Sequence, residues 1–197
     1  MQYRVMDATG TYVLCDCTGY RLDGTDTEPN MYVGIIINRS LADTTDSVTG
    51  LGDIHALVNA IGEMRRVARE AGFIAIKVDD IAEVNARFGF DAGDRVLAES
   101  AACLMDCSRG KGRLFRSTGP TFVALFDELG PEAIDEIASE IERFLGSPVL
   151  IGSLEYQPPI RVATLHLDAV DRQPVSILNE LKALLGKAVQ VPGTKLD

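Results

Sequence analysis

Four groups of residues carry side chains suited to chemistry. Asp79 and Asp80 stand together after the apolar run Phe73 to Val78. Adjacent carboxylates could recruit a divalent cation. They could also cap a helix starting at Ile81, which is the favoured reading. Arg109, Lys111, Arg113 and Arg116 form a basic cluster in an acidic chain, suited to a phosphate ligand; a solvated loop is the simpler reading. Cysteines occur as the pairs Cys15/Cys17 and Cys103/Cys107. The first spacing suits one face of a strand, the second one face of a helix. A four-thiolate zinc site would need the two segments to meet, and small core side chains are the simpler reading. His55 and His166 have no partners at catalytic spacing and are read as structural.

The composition limits what these groups can serve. Of 197 residues, 46% are hydrophobic, enough for a packed core and too many for a mostly disordered chain. Acidic residues outnumber basic ones 29 to 19, for a net charge of −10. Such a surface repels phosphate backbones and anionic lipid, so neither nucleic acid nor membrane is an expected partner. The longest apolar run, around Val33 to Ile37, is too short to span a bilayer. The first residues lack a signal-peptide pattern, and a cytoplasmic location is expected.

Three strand-like runs occupy residues 1–38: Tyr3 to Met6, Tyr12 to Cys17 and Met31 to Ile37. Asp/Gly turn signals at Asp7 to Gly10 and Leu22 to Gly24 join them into an antiparallel meander. So short a piece must pack on something else. Residues 39–45 read as a linker, and polar side chains in Asp43 to Ser47 could cap the next helix. That helix is expected from Asp53 to about Ala71, with Leu57, Ile61, Met64 and Ala68 on one face and Gly72 as its stop.

The rest of the chain alternates. A buried strand is expected over Phe73 to Val78, then helices over Ile81 to Phe88 and Asp91 to Cys107. A hairpin follows, Arg113 to Arg116 and Phe122 to Phe126, turning at Thr118-Gly119-Pro120. Pro131 opens a helix with the face Ile134, Ala138, Ile141 and Leu145. Strands at Val149–Ile151 and Ile160–Leu167 and a helix from Ser176 to Ala188 complete the pattern. The fold class is α+β, a mixed sheet with a β-hairpin and flanking helices, plus the short N-terminal meander.

Three fragments resemble motifs of the GGDEF family. Asp46-Ser47-Val48-Thr49-Gly50-Leu51 is similar to its D-x-L-T-G-L opening. The stretch from Asn85 through Gly89 and Gly93 to Asp94 keeps the spacing of N-D-x-x-G-H-x-x-G-D. Arg116 to Phe122 falls where R-x-G-G-D-E-F would stand. Order and separation make the set fairly specific, and the resemblance covers about residues 46–190, with 191–197 left as a tail. Residues 1–38 resemble the last three strands of a PAS domain. Its first half is absent, so neither haem nor flavin is expected.

The resemblance implies a nucleotidyl-cyclase-like fold and diguanylate cyclase activity. In that family two domains, each holding one GTP, face one another and form cyclic di-GMP with divalent metal. One metal carboxylate lies eight residues before the Asn, where this chain has Lys77. The other stands third in the motif, here Pro120, within the altered turn Thr118-Gly119-Pro120-Thr121-Phe122. A protonated lysine does not ligate Mg²⁺. The family's phosphate lysine is matched only by displaced Lys182 and Lys187, and its product-inhibition R-x-x-D by Arg109-Gly110-Lys111-Gly112. The guanine-reading pair survives as Asn85 and Asp94. A carboxylate accepts from guanine N1–H and N2–H, an amide donates to O6, and adenine is rejected.

The expected function is therefore a catalytically impaired signalling module in cyclic di-GMP signalling. It would act by dimerising, by binding GTP, GDP or cyclic di-GMP, or through other signalling proteins. No cofactor is expected. The alternatives are a weak or active cyclase, which alone would need Mg²⁺, and a ligand-free interaction scaffold.

Overall fold

The computed structural model describes residues 2–6, 12–22, 31–38, 44–67, 70–108, 110–145 and 148–194. The expected turns after Met6 and Leu22, the linker positions 39–43, Ala68, Arg109 and residues 195–197 lie outside these. The chain divides into two units, Met1–Asp43 and Thr44–Asp197.

The first unit contains β1 (Gln2–Met6), β2 (Tyr12–Leu22) and β3 (Met31–Asn38). They form an antiparallel sheet in the order β1-β2-β3, with Tyr3 opposite Cys15 and Cys17 opposite Ile36. This is the expected meander.

In the second unit, α1 (Ile54–Val67) precedes β4 (Ala71–Val78). Asp53 starts α1: its Oδ1 accepts the backbone N–H groups of His55 and Ala56 at 2.8 and 2.9 Å. The capping residue is thus Asp53 itself, not one of residues 43–47. The expected stop at Gly72 is also corrected, because Gly72 lies inside β4, paired with Phe126 and His166. A Cβ there would fall 2.2 Å from Ile134 Cδ1. The glycine is needed for close approach by a crossing helix, so the chain has already become strand at that point.

Then follow α2 (Ile81–Phe88), α3 (Phe90–Ser108), β5 (Arg113–Thr118), β6 (Thr121–Asp127) and α4 (Pro131–Leu145). The apolar stripes assigned to α3 and α4 are buried as their spacing predicts. Beyond α4 are β7 (Val149–Ile151), β8 (Leu154–Tyr156), β9 (Ile160–Leu167), α5 (Pro174–Lys187) and β10 (Gln190–Val191). Two of these strands were not anticipated. β8 closes a small hairpin on β7, and β10 adds to the sheet edge. Thr194 bonds Gln157 in both directions, so the unit continues past the expected end at residue 190.

The five-stranded sheet is antiparallel throughout, in the order β10-β9-β4-β6-β5. β4 is its central strand, and alternation splits its side chains between two cores. Ile74, Ile76 and Val78 pack with α2, α3 and α4, while Phe73 and Ala75 pack with α1 and α5. Each large apolar side chain so buried contributes about 1.5–3 kcal/mol. A helix layer on both faces explains why β4 reads as a continuous apolar run. Among the described residues no helix is long and apolar enough to cross a membrane.

Candidate functional site

The end of β4 lies beside the hairpin turn between β5 and β6. Sheet register sets Lys77 opposite Thr121 on β6 and opposite Arg161 on β9. Val78 N–H donates to the Pro120 carbonyl at 3.0 Å, and Asp79 N–H to the Pro159 carbonyl at 2.8 Å. The two positions where the family resemblance places metal carboxylates are therefore neighbours in space, and they carry an ammonium and a proline.

Asp79 is the acid at this junction, and its side chain is 7% exposed. Lys77 Nζ lies 2.7 Å from its Oδ1. Its Oδ2 accepts Arg161 Nε at 2.8 Å and Gln190 Nε2 at 2.7 Å. Burial alone pushes the carboxyl upward, but the donors from Lys77, Arg161 and Gln190 outweigh it and hold the group below its ordinary value. The expected cap on α2 is corrected here. Asp80 occupies the cap position in a left-handed backbone conformation, φ 61°, without a side-chain cap bond. Its carbonyl accepts Glu83 and Val84 N–H instead, and Asp79 is committed to Lys77 on β4, Arg161 on β9 and Gln190 on β10.

These side chains do not fit a divalent cation. Mg²⁺ requires oxygen donors with negative charge. The junction offers one carboxylate, already neutralised by two cations. Among the described residues no three His, Cys, Asp or Glu side chains converge to hold a metal.

The hairpin turn is tied to the segment that opens the domain. Arg116 Nη1 donates to both oxygens of Asp46, at 3.0 and 3.2 Å, and its Nε donates to the Gly119 carbonyl at 2.8 Å. Asp46 Oδ1 also accepts the backbone N–H and hydroxyl of Thr49 at 2.9 and 2.7 Å. Burial raises the Asp46 carboxyl and these bonds more than reverse it. One guanidinium thus joins the Asp46–Leu51 motif to the Thr118–Phe122 turn. Arg113 sits separately, ion-paired to Glu63 at 3.5 Å and to Asp127 at 3.3 Å. The basic cluster is thereby divided between two sets of carboxylates, and Arg109 lies outside the described residues.

Asn85 and Asp94 lie on α2 and α3, which pack side by side on the sheet face opposite α1 and α5. Asp94 is exposed and Asn85 half-buried. Asn85 Oδ1 is buried without a hydrogen-bond partner and rests against Gly93, where a Cβ would stand 1.9 Å away. An orphaned buried acceptor costs roughly 1–3 kcal/mol.

Other candidates resolve simply. His166 Nε2 lies 2.9 Å from Glu70 Oε1 at the far end of the sheet. Cys103 and Cys107 are one turn apart on α3, and burial followed by the neighbouring Cys107 pushes the Cys103 thiol up to about 12, against reactivity. Lys182 and Lys187 are exposed on α5. Arg161 and Gln190 were missed by sequence reasoning. Arg161 is the second residue of the eight-residue β9 and Gln190 opens the two-residue β10, and neither has a local signal naming Asp79 as its partner. A cavity of about 520 Å³ opens between α5 and the sheet, with Lys77, Thr118, Thr121, Arg161 and Lys182 at its polar side.

Comparison with known proteins agrees with this geometry. The family model described as "Diguanylate cyclase, GGDEF domain" matches residues 43–178. The cyclic di-GMP phosphodiesterase PdeR of Escherichia coli is 29% identical over 113 residues, 56% of this chain and 17% of PdeR. The diguanylate cyclase DgcS of Shewanella oneidensis is 29% identical over 84 residues, 41% of this chain and 28% of DgcS. The chain therefore spans less than a third of the length of either relative. The crystal structure of the diguanylate cyclase SiaD with its activator SiaC, from Pseudomonas aeruginosa, superposes with a TM-score of 0.69 at 20% identity. That match covers 75% of this chain and 58% of SiaD, and it speaks for the fold. With more than half of its length matched by the family model, this chain belongs to the GGDEF domain family.

Proposed function

We propose that this chain is a regulatory GGDEF module of cyclic di-GMP signalling that binds a guanine nucleotide without joining two of them. The observation that carries this reading is the Lys77–Asp79–Arg161 cluster. Cyclases of the family use Mg²⁺ to neutralise a triphosphate and activate the attacking hydroxyl. At the corresponding place this chain sets two cations around one carboxylate, and Pro120 supplies neither a carboxylate nor a backbone N–H.

Binding is supported by Asn85 and Asp94, which keep the residue types and spacing for reading guanine. The Asn85 amide is held with its oxygen against Gly93, and the Asp94 carboxylate is open to solvent. The relatives bear the names of a cyclase and of a phosphodiesterase, so family membership is compatible with a role other than synthesis. Signalling output would pass through a second copy of the chain or another signalling protein.

The test is a calorimetric titration with GTP, with and without Mg²⁺, and with ATP as control, followed by product analysis. The expected result is guanine-selective binding that ignores Mg²⁺ and yields no cyclic di-GMP. Metal-dependent cyclic di-GMP production would overturn the loss of catalysis. Equal binding of ATP, or none of GTP, would overturn guanine reading.

A further inference from the structure

On the sheet face that carries α3 and α4, a groove between these helices and the start of β7 holds about 410 Å³ of open space. Its apolar floor is reachable from solvent. Phe144 is 45% exposed, Ala102 and Pro148 are exposed, and Cys103 and Val149 are half-buried. Its rim carries three carboxylates, Glu99 and Asp106 from α3 and Glu140 from α4. No lysine or arginine lines it. Glu99 and Asp106 are exposed and make no ion pair among the described residues. Phe144 already holds one guanidinium over its ring, with Arg143 Cζ 4.7 Å from the centroid. The groove shares no residue with Lys77, the Thr118–Phe122 turn, Lys182, or the Asn85 and Asp94 pair.

That combination selects a partner. Glu99, Cys103 and Asp106 follow at i, i+4 and i+7 on α3. They lie along one helix face, with the two carboxylates about 10 Å apart along the axis. Among the described residues no three such groups converge to hold a metal ion, so an inorganic cation does not fit. Two helices packed side by side with an apolar seam between them accept a third helix laid along it. Apolar side chains of such a helix would take Phe144, Ala102 and Pro148 out of water, at about 25 cal/mol for each Å². Its flanking residues would face the three carboxylates, which attract lysine or arginine and repel another carboxylate. A net charge of −10 on the chain adds a long-range attraction for the same cationic partner.

We propose that this groove docks a basic amphipathic helix of a partner protein. Its apolar stripe lies on Phe144, Ala102 and Val149, and its lysines or arginines lie against Glu99, Asp106 and Glu140. The inference does not rest on guanine reading.

Calorimetric titration of the full chain at low ionic strength tests it, using a capped peptide of about 14 leucines and lysines in helical period. The comparators are a peptide of the same composition in strict alternation, the helical pattern with glutamate for lysine, and spermidine. The helical peptide should bind at least about tenfold tighter than the alternating peptide or spermidine, with no binding of the glutamate version. Glu99→Lys should weaken it about tenfold. Asp168→Lys makes the same charge change at a fully exposed side chain outside the groove, and should leave it within about twofold. The chain has no tryptophan, so Phe144→Trp provides a single reporter whose emission should shift to the blue when the peptide covers it. Circular dichroism checks the fold of each variant. Equal binding of the alternating peptide or of spermidine would overturn the proposal. So would equal losses in Glu99→Lys and Asp168→Lys, an unmoved emission, or no binding by the wild-type chain.

Discussion

Lys77 and Asp79, two residues apart where β4 ends, form an ion pair at 2.7 Å that Arg161 completes from the neighbouring strand at 2.8 Å. Residues two apart on a strand share a face, so these two side chains stand side by side. The pair occupies the junction of the hairpin turn, β9 and β10. Stability and the absence of a metal-type donor set therefore depend on the same few atoms.

Asp79→Asn should cost about 1–3 kcal/mol at neutral pH, since charge-assisted bonds to Lys77 and Arg161 are replaced by neutral ones. The Asp79 carboxyl titrates below its ordinary 3.8 in the folded state. The unfolded chain therefore binds the proton more readily, and folding stability rises with pH through that window. The difference between wild type and variant should be full above 3.8 and shrink as pH falls through the lowered folded value. Urea unfolding across acidic pH reads this, and a difference independent of pH would contradict it.

Lys77→Asp combined with Thr121→Glu should convert the junction into a cation site. The two positions are register partners on β4 and β6, so three carboxylates would converge with Asp79. The double variant should be destabilised alone and recover about 1 kcal/mol with Mg²⁺, roughly 2–4 °C in Tm. Wild type should show no such rise in the same thermal scans.

Gly72→Ala should destabilise by roughly 1–3 kcal/mol through overpacking. The added Cβ would lie 2.2 and 2.4 Å from Ile134 Cδ1 and Cγ1. Ile134→Val removes the Cδ1 methyl, so the double variant should lose less than the sum of the single changes. Additive urea midpoints would show that the two positions do not meet.

Gly93→Ala should abolish guanine selectivity while leaving α3 helical. Its Cβ would sit 1.9 Å from Asn85 Oδ1 and force the amide away. GTP titration of this variant, set beside its circular dichroism, separates loss of the reader from loss of the fold. Undiminished GTP binding would remove Asn85 from the proposed reader.

Much of the element pattern was legible because it is local. The stripes Ile134, Ala138, Ile141, Leu145 and Val96, Leu97, Ala101, Leu104 announce helix faces, and the hairpin around Gly119 follows from its flanking strands. Where the local reading failed, a tertiary contact overrode it. Gly72 has the form of a helix stop, but Ile134 packing across β4 makes it a strand residue. β10 is only two residues long and gains its strand character from pairing with β9.

The sequence by itself determined three fragments that resemble the family's motifs, and the residues Lys77, Pro120, Asn85 and Asp94 that stand at the positions the resemblance implies. Residue identity at a spaced motif needs no coordinates. The tertiary structure alone decided that Arg116 locks Asp46 to the hairpin turn rather than standing in a free basic cluster, and that Asp79 serves Lys77, Arg161 and Gln190 rather than a helix cap. It also decided that Asn85 leans on Gly93. The physical reason is shared. A charged side chain takes the partner that β-pairing brings within about 3 Å, and partners 70, 82 and 111 residues away along the chain leave no local trace.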